Sequence, residues 1–154
     1  KGVGSDLKEE EMMVDLTIGK LAKESGVRTD TIRYYEQLGL IHPEGRSDAG
    51  YRLYSEDSIR LVQFVRRSKD LGFKLAEVKT LLSLKASETA TCQDMLERTD
   101  EKLDEARQNI KQLNKMHDAL EKLSEACPGG DMPLSECPIL DYLYPKQSGA
   151  AHER

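Results

Sequence analysis

Apolar positions recur along this chain in two rhythms, and the change between them divides it. Up to residue 84 they fall in short helical runs broken by turn residues. Leu16 to Ser25 predicts a helix with Thr17 as its N-cap and Ile18, Leu21 and Ala22 on its apolar face. Gly26 allows a tight turn, and Val27 packs inward before Thr29 opens a second helix. Ala22, Gly26 and Val27 in this order form a helix-turn-helix pattern: the small residue lets two helices approach and the glycine takes the bend. On the second helix Ile32 is expected in the core, which leaves Thr29, Thr31, Arg33 and Tyr34 or Tyr35 facing outward. Gly39 closes this helix in a left-handed conformation. Pro43 and residues 44–50 are turn chemistry, and residues 51–54 alternate, so two brief strands are expected around a polar tip. In that alternation Tyr51 and Leu53 share one face, Arg52 and Tyr54 the other. Ser55 should cap a third helix running to about Leu71, with Ile59, Val62, Phe64 and Val65 inside and Arg66, Arg67 and Lys69 in its last turn. Those cations either complement the helix dipole or meet a nucleic-acid backbone. A shorter amphipathic helix over 73–84 follows. Residues 15–85 therefore read as a winged helix-turn-helix DNA-binding domain.

Beyond a Ser/Thr/Ala patch at 86–91 the rhythm changes. Leu96, Leu103, Ile110 and His117 recur every seven residues, with Thr99, Ala106, Leu113 and Leu120 as a companion series. The positions between are largely charged, which predicts one long helix over residues 86–126 with a single apolar stripe. A lone helix cannot bury such a stripe, and the chain has no second long helix to cover it. A homodimer is expected, with His117 packed at its interface. After it come a compact loop bounded by Cys127 and Cys137, a short helix from about Ile139, and a polar tail over 145–154 expected to be disordered. Residues 1–14 are polar and lack an initial methionine. They are expected to be a disordered segment or a remnant, with Met12 or Met13 as the natural start. The fold class is thus mainly α.

Composition changes this picture little. The chain has 154 residues and a formal net charge of −5, yet residues 15–83 hold twelve Lys and Arg against ten Asp and Glu. The slight basic excess sits where the DNA-binding pattern lies. No apolar run is long enough for a membrane span and no signal peptide is evident, so no membrane partner is expected. Three cysteines point to reduced thiols and a cytoplasmic location rather than to a disulfide framework. No Ser/His/Asp set and no phosphate loop is present, so an enzyme is not expected.

Several segments in order resemble the mercury-resistance regulator (MerR) family of bacterial transcription activators. They are Ile18–Ala22, Thr31–Glu36, Gly50–Tyr54, Leu71–Phe73, Cys92 and the cysteine-bounded loop before Ile139. The resemblance spans nearly everything from Leu16 to Tyr144. It implies a homodimer that grips promoter double-stranded DNA and, on binding its inducer, distorts that DNA for RNA polymerase. By the same resemblance Thr29, Thr31, Arg33, Tyr34 and Tyr35 map onto the recognition helix, one of the two tyrosines serving the core, and Tyr51 and Arg52 onto the wing.

Cys92, Cys127 and Cys137 are the candidate metal ligands, because thiolates select soft ions such as Zn, Cd, Hg, Pb or Cu(I). Copper(I)- and gold-sensing relatives use only the two loop cysteines and carry Ser where this chain has Cys92. Cys92 therefore favours a divalent ion: Zn, Cd, Pb or Hg. Zinc-sensing members carry a second Cys after the first loop Cys and a later loop His. This chain has Pro128 and no loop His, which departs from that pattern. The expected site joins Cys127 and Cys137 of one chain to Cys92 of the other, which requires the long helices to run as an antiparallel coiled coil. The loop over 127–144 is then a C-terminal metal-binding segment. Two alternatives stay open: a copper(I) or gold sensor using Cys127 and Cys137 alone, and a coiled-coil scaffold with no DNA partner.

Overall fold

The computed structural model describes residues 15–147; residues 1–14 and the end of the tail, with His152, lie outside them. The chain forms two compact units, Lys1–Arg98 and Thr99–Arg154. In the first, β1 (Leu16–Thr17), α1 (Ile18–Ser25), α2 (Thr29–Gln37), β2 (Gly45–Arg46), β3 (Arg52–Tyr54), α3 (Asp57–Asp70) and α4 (Leu75–Ala86) follow in order.

Thr17 caps α1 as expected, its hydroxyl accepting from the Lys20 amide at 3.3 Å. The helix starts later than its apolar pattern suggested, because Leu16 is drawn into β1. There it pairs with Tyr54, while Thr17 pairs with Leu53. The sheet order is β1-β3-β2, antiparallel throughout, with Arg46 opposite Arg52. Gly26 ends α1 at φ +69° and Gly39 follows α2 at φ +72°, both in the left-handed region that β-carbons disfavour. Ser55 does not cap α3; Glu56 holds that position without a side-chain bond.

One core serves this unit. Leu21, Ile32, Ile41, Tyr54, Val62, Val65 and Val78 are fully buried. Each such side chain contributes about 1.5–3 kcal/mol relative to exposure. The inner faces of α1 to α4 thus meet where the periodicity placed them, with Ile59, Phe64, Leu75 and Leu82 packed at the margin.

The last helix with long range, α5, spans Cys92–Ala126. In the second unit its Leu103, Ile110, Leu113 and Leu120 are 45, 57, 60 and 63% exposed. Lys102 departs from the solvated pattern expected between stripe positions: it is buried, with Nζ 2.7 Å from Glu105. After α5 come a 3₁₀ turn (Leu134–Glu136) and the short helix α6 (Pro138–Leu143). Mainly helical with a small sheet among the described residues, the chain has the expected fold class.

Candidate nucleic-acid interface and thiol loop

Helix α2 buries Ile32 and presents its opposite side to solvent. Arg33 and Tyr34 are exposed, and Thr29 and Thr31 are half-buried. Of the two tyrosines, one of which was expected to serve the core, Tyr35 is the buried one at 5% exposure, which removes it from the DNA-facing set, while Tyr34 is 48% exposed. The two rings stand 6.3 Å apart, tilted by 41°. Burial pushes the Tyr35 phenol above its ordinary range, an effect the Arg66 charge partly offsets.

The wing is braced from within. Ser47 N donates to Tyr51 O at 2.8 Å, Tyr51 N returns to Ser47 Oγ at 3.1 Å, and Arg46 Nη1 reaches Gly50 O at 3.1 Å. Tyr51, at the end of this tip, is 70% exposed. Tyr54 and Arg52 share a face as the alternation required, but only Tyr54 goes into the core.

Arg52 turns instead to α2, where its Nη1 lies 2.5 Å from Glu36 Oε2. Such a pair, with Arg52 half in water, adds about 1 kcal/mol or less to the fold; what it fixes is direction. Helix α2 and the wing are tied across sixteen positions of sequence. Between them lies a cleft of about 810 Å³ lined by Arg33, Glu36, Arg46, Tyr51 and Arg52 among others. Arginine forks and a tyrosine around an open concave surface suit phosphate and sugar contacts, while the exposed turn of α2 suits base edges.

Three interface features escaped the sequence reading. Glu36 has no signal in a single chain, because its partner is far away in sequence. Asp30 was passed over as one more acid, yet it pairs with both Arg28 and Arg33. Arg66 looked like a terminal cation, but its Nη1 donates to Ser25 O at 3.0 Å and Gly26 O at 3.3 Å. It therefore holds the turn between α1 and α2 and is engaged in the protein rather than held out for a phosphate.

Cys92, Cys127 and Cys137 are all free thiols. Cys92 is exposed and is the first residue of α5. Asp94 caps that helix start, accepting from Thr91 N at 2.6 Å and Thr91 Oγ1 at 3.1 Å. The backbone bond first, then the hydroxyl, holds the Asp94 carboxyl below its usual range. Cys127 and Cys137 are half-buried at the two ends of the loop. Gly129 and Gly130 both take positive φ, +70° and +66°, the left-handed conformation that glycine adopts without cost to a β-carbon. Cys137 ends the loop by donating its amide to Leu134 O at 3.1 Å and accepting from Asp141 N at 3.0 Å. An all-sulfur donor set on a turned loop fits a soft ion. Among the described residues the cluster able to hold a metal within one chain is a different one, His117, Asp118 and Glu121. All three are exposed in the single chain.

Two sequence profiles match this arrangement: MerR HTH family regulatory protein over residues 16–85, and MerR, DNA binding, over residues 59–123. The chain belongs to the MerR family. The mercuric resistance operon regulatory protein of Bacillus cereus is 39% identical over 129 residues, covering 84% of this chain and 97% of that protein. The HTH-type transcriptional regulator ZntR of Escherichia coli K12 is 38% identical over 133 residues, covering 86% and 94%. Among solved structures, the transcription regulator PbrR691 from Ralstonia metallidurans, in complex with lead(II), superposes with a TM-score of 0.74 at 29% identity, covering 83% of this chain and 98% of that one. No helix of the described residues is long and apolar enough to cross a membrane.

Proposed function

We propose that this MerR-family chain is a metal-responsive transcriptional regulator that binds promoter DNA as a homodimer and responds to a soft divalent ion: zinc, cadmium, lead or mercury. The reading is carried by the three free thiols, two at the ends of a loop turned by Gly129 and Gly130 and one at the start of α5. The ion would sit between Cys127 and Cys137 of one copy and Cys92 of the other, two sites per dimer. Cys92 opens a thirty-five-residue helix and Cys127 follows its end, which favours a third sulfur from the second copy. The uncovered stripe of Leu103, Ile110, Leu113 and Leu120 supplies a reason for that copy to be there. Relatives point to the same chemistry, one a mercuric resistance regulator and one solved with lead(II).

Cys127 and Cys137 of one copy and Cys92 of the other would hold the ion through their thiolates, and the ion would supply soft Lewis-acid binding that links loop and helix start. Thr91 and Asp94 hold that helix start in place, so a pull on Cys92 acts on an ordered end. Arg33, Arg52 and Tyr51 meet the DNA, and Glu36 keeps helix and wing in one register. Activation follows if the two protein states offset the cost of DNA distortion differently, which then serves RNA polymerase at the promoter.

A promoter–reporter titration across Zn, Cd, Pb, Hg and Cu, run with wild type and Cys92→Ser, tests the site. Induction by a divalent ion that is lost in Cys92→Ser is the expected result. A Cu(I) response that survives the substitution would replace the divalent assignment by a two-cysteine copper or gold site.

A further inference from the structure

Asp30 sits in the first turn of α2, where recognition helices meet base edges, and it is an acid on a surface that must approach phosphates. Its side chain is 71% exposed and each carboxylate oxygen takes one arginine: Oδ1 lies 3.3 Å from Arg33 Nη1 and Oδ2 lies 3.6 Å from Arg28 Nη2. Both guanidinium groups are themselves largely in water, at 87% for Arg28 and 57% for Arg33. Exposed pairs of this kind add little to stability, and the gain of an acid in a first helical turn from the helix dipole needs no cation beside it, so folding does not account for the two arginines drawn to it. Toward DNA the effect is larger. Two cations that would otherwise be drawn to any phosphate are held against one carboxylate, and that carboxylate is repelled by every phosphate it meets.

We propose that Asp30 is a specificity-determining residue, one that accepts a hydrogen bond from a cytosine N4 amino group in the promoter while restraining Arg28 and Arg33 from indiscriminate phosphate contact. A carboxylate matches that donor and no acceptor-only base edge. Discrimination arises from both sides: a bond gained on the right base pair and a repulsion met everywhere else. The proposal rests on the DNA-binding reading above and adds to it the base read and the residue that reads it.

The test uses the full-length chain, as wild type, Asp30→Asn and Asp30→Ala, to select binding sites from a random duplex pool. Affinity for the wild-type selected site and for a scrambled duplex is then measured against salt. Asp30→Asn keeps the shape and removes the charge; Asp30→Ala removes the acceptor as well. Both variants are expected to bind scrambled DNA roughly tenfold more tightly, with a salt slope steeper by about one. Asp30→Ala should also lose a cytosine preference at one position of each half-site, while Asp30→Asn, which keeps an acceptor oxygen, retains part of it. Selection of the same site with the same ratio to scrambled DNA by all three proteins would overturn the assignment and leave DNA binding standing. So would equal weakening on both duplexes, the mark of a role confined to the helix start. Failure of the wild type to select any site removes this inference together with the reading beneath it.

Discussion

Tyr34 and Tyr35 are adjacent and chemically identical, yet one faces solvent and the other fills the core. Periodicity from Ile32 placed both near the boundary of the apolar face, so the sequence left the choice open. The packing that seals the ring of Tyr35 decides it. Tyr35→Ala is expected to cost about 3–5 kcal/mol by thermal melting, as aromatic truncations in cores do, whereas Tyr35→Phe should keep promoter affinity. The same burial gives a pH dependence. Tyr35 and Tyr54 are both raised above their ordinary phenol range, chiefly by burial. As pH rises past about 10, the unfolded chain loses these protons while the folded one retains them. Stability is therefore level below that point and falls as pH climbs through the raised values. Tyr35→Phe should flatten part of the fall in a denaturant series at increasing pH, and an unchanged slope would show that Tyr35 does not titrate with unfolding.

At the scale of elements, α1 to α5 were legible because each carries several apolar residues at helical spacing. The wing was legible from its turn residues. β1 was not, since a two-residue strand has no period and exists only because Tyr54 and Leu53 lie beside it. The role of Arg66 was hidden for a similar reason: its carbonyl partners are about forty positions away, and a cation in a last helical turn already has a local explanation. Gly26 combines both kinds of information. Its φ of +69° marks it as a turn glycine, and a β-carbon there would come within 3.2 Å of Arg66 Nη1. Gly26→Ala should then destabilise the first unit by about 1–2 kcal/mol, the cost of a left-handed alanine, with more if the arginine must move. Chemical denaturation of the variant measures this, and a loss near zero would mean the turn can re-form.

At the scale of the whole molecule, the proposed homodimer sets how two copies would meet. The heptad series was read from sequence and the exposed stripe on α5 agrees with it, but neither contains the direction of the partner helix. The cysteines do, if Cys92 joins the loop of a second copy. The helices must then cross antiparallel near residue 109.5, the midpoint of positions 92 and 127. Spin labels at the exposed Lys122 should lie about 40 Å apart in that arrangement, at 1.5 Å rise per residue. A same-residue separation of about 10 Å, the spacing of packed helices, would mean a parallel pair and would dismantle the shared site. Lys102 is a poor label position, since its ammonium is buried against Glu105.

The Arg66 clamp also has an evolutionary consequence. Because its guanidinium occupies the space beside Gly26 and bonds the carbonyl of that same residue, the two positions are not free to drift separately. A lineage that replaces Gly26 must let the guanidinium of Arg66 shift by a few tenths of an ångström, and one that loses Arg66 leaves two turn carbonyls without that donor. Substitutions at 26 and 66 should therefore appear as linked pairs across descendants of this chain.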